Sequence, residues 1–87
     1  MKKNKETILS QVRTLKFEFK ALSDKKPNDQ VNLFKLKYVN QSLQASNEIL
    51  GENKPYDNFD TFNESELPTN SDVLIILSLY LNTLCNA

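Results

Sequence analysis

With 87 residues the chain has room for one hydrophobic core, and it buries only about 60–65% of its unfolded surface, so modest stability is expected unless chains associate. It holds no His, one Cys and one Gly, which excludes an intrachain disulfide, a glycine-rich phosphate loop and acid–base chemistry built on histidine. Its net charge of zero conceals a split, because residues 1–44 carry ten Lys/Arg against four Asp/Glu and residues 45–87 carry one against seven.

No apolar run follows the opening MKKNKE, so no secretory leader is read and the expected compartment is the reducing cytoplasm. Eleven Asn and ten Lys point to an AT-rich gene of a bacterium or phage.

From about Lys5 to Leu22, apolar residues recur at Ile8, Val12, Leu15, Phe19 and Leu22, a stripe along one face of a helix. Leu9 widens the stripe and Phe17 falls opposite it. Pro27 then ends the pattern, and Asn28 suits an N-cap. The short connection implies an antiparallel hairpin with a second helix over about 29–50, stopped by Gly51. That helix has two adjoining apolar stripes. One comprises Val31, Phe34, Tyr38, Ala45 and Ile49, and the other Leu36, Val39, Leu43 and Leu50, with Ser42 and Ser46 between. So wide an apolar arc predicts a helix wedged between two neighbours.

Residues 52–70 read as an acidic crossover, with Tyr56, Phe59 and Phe62 spaced every third residue so that a helical turn would pin them to the bundle. Thr61 with Glu64 is a candidate cap for that turn. A third helix, about 71–85, starts at Thr69 or Ser71. On a helical wheel Val73, Leu74, Ile76, Leu77, Tyr80, Leu81, Leu84 and Cys85 fill one half, which assigns the cysteine a structural role. The apolar stretch is about fourteen residues long, too short to span a bilayer. The chain therefore reads as a single all-α domain, a three-helix bundle made of a hairpin, a long crossover and an apolar C-terminal helix.

Ile75 and Leu79 interrupt the polar half of that third helix. Covering both would stabilise the chain by roughly 2–4 kcal/mol, so either the crossover, through Phe59 or Phe62, or a second subunit should lie over them. Phe17, likewise without a place in the core, favours association. Ile75, Leu79 and Phe17 are thus the candidate partner or dimer surface, with a homodimer expected.

Two charged surfaces are candidates as well. Lys5, Arg13, Lys16 and Lys20, together with Lys2, Lys25, Lys26, Lys35 and Lys37, could contact phosphates, although Glu6, Glu18 and Asp24 break the patch and the isoelectric point is near 6.2. Asp57, Asp60, Glu64 and Glu66 offer an acidic face to a basic partner. They do not form a calcium loop, since Phe59 and Thr61 would fall at ligand positions and no Gly follows.

No catalytic residue, cofactor or metal is expected. The function read from the sequence is a small non-enzymatic protein–protein interaction module, a bacterial or phage regulator or inhibitor acting as a homodimer. A nucleic-acid-binding accessory role through helix 1 is the alternative. A further alternative is a bacteriocin-immunity-like helical protein, since in size and composition alone the chain is similar to small Lys-starting helical proteins such as bacteriocin immunity proteins and host-factor inhibitors.

Overall fold

The computed structural model describes residues 4–86 and shows an all-α three-helix bundle: α1 (Lys5–Lys25), α2 (Leu33–Leu50), a 3-10 turn (Gly51–Asn53) and α3 (Asn70–Cys85). The Asn4 side chain caps α1 by accepting a hydrogen bond from the Thr7 backbone N–H at 2.8 Å. The helix runs to Lys25, where the N–H of Lys26 closes on the Leu22 carbonyl and Pro27 prevents continuation. Ile8, Val12 and Phe19 are buried, and Leu9, Leu15 and Leu22 pack at the edge of the core.

α2 begins four residues later than the periodicity suggested, and its N-cap is Asn32, not Asn28. The reason is a competing use of the backbone. Residues 26–29 form a turn in which the Asp29 N–H donates to the Lys26 carbonyl, and the chain then meets the approach to α3: Gln30 and Thr69 form an antiparallel bridge, and the Val31 N–H donates to the Pro68 carbonyl at 2.8 Å. The N–H groups of Asn70 and Ser71 donate back to Asp29 and Pro27, and the buried Asn70 amide reaches the Lys26 carbonyl at 2.9 Å. α2 and α3 therefore both start at the end of the molecule where α1 finishes, and each runs back alongside it. The α1–α3 contact is the most extensive of the three, and α2 meets α3 only lightly.

α3 carries the capping box expected at Thr69 and Asp72, with both reciprocal hydrogen bonds formed. Val73, Ile76, Leu77, Tyr80 and Leu84 are buried, while Leu74 and Leu81 lie half-covered. Cys85, placed by the wheel on the core half, is exposed. It sits at the last turn of α3, beyond the reach of the packing that covers Leu84.

The second stripe of α2 is the one that enters the core, through Leu36, Val39, Leu43 and Leu50. Ser46 packs with them because its hydroxyl donates to the Ser42 carbonyl at 2.7 Å, leaving no unsatisfied group. Gly51 ends the helix at φ 57°, ψ −122°, a conformation that residues with a Cβ rarely adopt.

These contacts set an expected contrast within one helix. Leu77→Ala should cost about 2–5 kcal/mol by equilibrium urea denaturation, whereas Ile75→Ala, on the opposite side of α3, should stay within about 0.5 kcal/mol.

Candidate interaction surfaces

The crossover is anchored, but not by helical turns at its aromatics. Residues 54–69 are irregular, and Thr61 and Glu64 form no cap; instead the Asn63 side chain accepts from the Ser65 N–H in a local turn. Two amides of α2 hold the segment. Asn40 makes a paired contact with one residue, accepting from the Phe62 N–H and donating to the Phe62 carbonyl, both at 2.9 Å. One heptad further along, Asn47 donates to the Asp60 carbonyl at 2.9 Å and accepts from the Tyr80 hydroxyl at 2.6 Å. The crossover thus returns along one flank of α2 through a series of turns and bends. Tyr56 stacks on Phe59, and Phe59 meets Phe62 edge to face with centroids 5.1 Å apart. Phe59 and Phe62 rest against the core rim while Tyr56 stays exposed.

Tyr80 joins α3, α2 and the crossover through this chain of hydrogen bonds. Burial pushes its phenol above 10.0; the Asn47 hydrogen bond offsets part of the shift, and the negative charge of Asp60 adds to it.

The apolar residues singled out on the outside fall on separate helices. Ile75 (60% exposed) and Leu79 lie one turn apart on α3 and are not covered by the crossover, whose aromatic rings are spent against α2 and the core; Phe17, on α1, is 75% exposed. A larger set was not legible as a surface. The first stripe of α2 is divided: Val31, just ahead of the helix, is buried and Ala45 packs against the core, so that α2 lies against both α1 and α3, but the rest of the stripe is left uncovered. Phe34 (69% exposed), Tyr38 (51%) and Ile49 stand outside, with Phe34 and Tyr38 in edge contact at 5.1 Å. The crossover occupies the Asn40/Asn47 flank instead. Between this stripe and α1 runs a groove of about 320 Å³ lined by Ser10, Gln11, Thr14, Leu15, Tyr38, Gln41 and Ser42.

The charges are partly spent within the chain. Lys20 pairs with Asp24 at 2.7 Å, Lys26 lies 4.0 Å from Asp29, and Lys54 pairs with Asp60. Lys5 and Lys16 are half-buried, and Arg13 and Lys25 are exposed on α1. Lys25, Lys26 and Lys35 border a groove of about 350 Å³ where the three helix ends meet. Lys2 lies outside the described residues. Asp57, Glu64 and Glu66 are exposed along the crossover, and no cluster of three metal-ligating side chains occurs among the described residues. No described helix is long and apolar enough to cross a membrane.

The charges of α2 run against its own dipole. Lys35 stands in the first turn and Glu48 in the last, with no acidic residue in the first turn and no basic one in the last. Both placements are mildly unfavourable for an isolated helix.

The chain matches no protein-family model, no curated protein and no solved structure at a significant level.

Two outcomes follow from the amide anchors. Asn40→Ala should cost about 1–3 kcal/mol and speed amide hydrogen exchange in residues 54–66 ahead of the helices. For Tyr80 the raised folded-state value means that its stability contribution is intact below pH 10.0 and is lost as pH rises above it. Tyr80→Phe should therefore show a smaller alkaline loss of stability than the wild type in denaturation series taken on both sides of that pH.

Proposed function

We propose that this chain is a non-enzymatic protein–protein interaction module, a small regulator or inhibitor of a bacterium or phage that acts as a homodimer and docks a protein partner. The observation that carries the reading is that the core closes without them, yet each of the three helices presents large apolar side chains to solvent: Phe17 on α1, Phe34 and Tyr38 on α2, and Ile75 and Leu79 on α3. Scattered single apolar residues need no explanation, but paired ones at helical spacing on an otherwise polar face mark contact surfaces. Ile75 and Leu79 form the docking surface for the partner protein, being adjacent on a rigid helix whose other side is fully committed to the core.

Nucleic-acid binding is the second reading, and it draws on the groove bordered by Lys25, Lys26 and Lys35. The ion pairs of Lys20 and Lys26 reduce the positive face available to phosphates. Titration with DNA and RNA at two salt concentrations separates the readings, since phosphate binding must weaken steeply as salt rises.

The test of the docking surface compares the wild type with Ile75→Glu/Leu79→Glu. Both residues are exposed, so the variant should melt within a few degrees of the wild type. Quantitative capture from cell extract, followed by a binding isotherm with the purified partner, should show at least a tenfold loss of affinity, about 1.4 kcal/mol. Equal capture by the two proteins would exclude this surface.

A further inference from the structure

The geometry points to the outer stripe of α2 as a homodimer seam, in which a second copy of this chain lies antiparallel across Phe34, Tyr38, Gln41, Ala45 and Ile49. The inference rests on the reading of the chain as an interaction module and names its partner at one face. The residues recur at spacings of four, three, four and four, so they form one continuous line on the helix. Of the stripe read from the sequence, Val31 is buried and Ala45 is half-covered at the core edge, while Phe34, Tyr38 and Ile49 stay exposed.

The stripe is self-complementary when reversed. Residues 34 and 49, and residues 38 and 45, are equidistant from the midpoint between Gln41 and Ser42. A two-fold axis through that midpoint sets Phe34 against the partner's Ile49 and Tyr38 against the partner's Ala45, which is the isologous pairing that closed dimers use.

The charges agree with the same register. Lys37 and Glu48 are exposed and make no ion pair among the described residues. Eleven residues separate them, about three helical turns, so they share one flank of α2 but stand about 16 Å apart and do not pair within the helix. In an antiparallel two-fold pair, residues on a shared flank meet. Lys37 then faces the partner's Glu48 to within about 3 Å along the axis, twice in the dimer. A charge order that opposes the dipole of a single α2 is the order that an antiparallel neighbour satisfies, because its dipole and its charges are both reversed.

Size limits the strength of the contact. At their exposed fractions Phe34, Tyr38 and Ile49 offer on the order of 300 Å² per copy, against roughly 800 Å² per partner in a standard interface. Lys37, Gln41, Gln44 and Glu48 must bring the remainder, so the dimer is reversible at roughly micromolar concentration.

Sedimentation of the full chain over about a hundredfold range of concentration tests this. The wild type should pass from monomer to dimer. Tyr38→Glu should abolish the dimer within that range, and Lys37→Glu or Glu48→Lys alone should weaken it at least about tenfold by setting like charges together. The double swap Lys37→Glu/Glu48→Lys should restore it to within about threefold, with thermal melts confirming that each variant folds. A wild type that stays monomeric, a dimer indifferent to Tyr38→Glu and Lys37→Glu, or a double swap that fails to restore association would each overturn the seam. If Ile75→Glu/Leu79→Glu alone abolishes the dimer, the contact is through α3: this inference falls while the interaction reading stands.

Discussion

The placement of α3 depends on the backbone contact between residues 27–31 and 68–71. Without it, a crossover of this length would leave the apolar helix free to pack in several registers. The Val31 and Asn70 N–H groups, with the Asn70 side chain, tie the end of α1 to the start of α3. α3 is thereby held in one alignment along α1. The bonds are short-range in space and join residues about forty apart in sequence, so they fix topology where local propensity cannot. Once the ends are joined, burial of Ile8, Val12, Phe19, Leu77, Tyr80 and Leu84 follows from the stripes that each helix already carries.

A three-helix bundle of this size has few surfaces to spare, and their use is uneven. α1 is covered on two sides, α3 mainly on one, and α2 is divided among the core, the crossover and solvent. The crossover occupies the polar flank of α2 because asparagine amides can satisfy backbone groups of an irregular segment, whereas Phe34 and Tyr38 cannot. Phe34 and Tyr38 are left outside for that reason, and the partner surfaces proposed here descend from that allocation.

Much of the architecture was legible because three stripes at helical spacing, a Pro and a capping box are local signals. The apolar positions of α1 and the start of α3 at Thr69 are of this kind. What was not legible depended on distant partners. Asn28 is as good an N-cap as Asn32 by residue type, and only the bridge to Thr69 decides between them. Tyr56, Phe59 and Phe62 have helical spacing, but Asn40 and Asn47 claim the backbone at Phe62 and Asp60, which is bent and not helical there. The wheel put Cys85 inside by angle alone, and angle says nothing of where a neighbouring helix ends. On the surface, the pattern exposed Ile75, Leu79 and Phe17 as misfits. Phe34 and Tyr38 carry no such mark, because they share a helical stripe with Val31 and Ala45, which do reach the core.

The grip of Asn40 on the crossover is directed at main-chain atoms of Phe62, and that of Asn47 at the carbonyl of Asp60. A clasp of this sort measures chain length and is blind to side-chain identity. Substitution of Asp57, Thr61, Glu64 or Glu66 leaves both fastenings intact, whereas adding or removing a single residue between positions 60 and 62 takes one of them out of register. The acidic rim can thus change its chemistry, and with it the ligand it faces, on a frame whose dimensions are fixed.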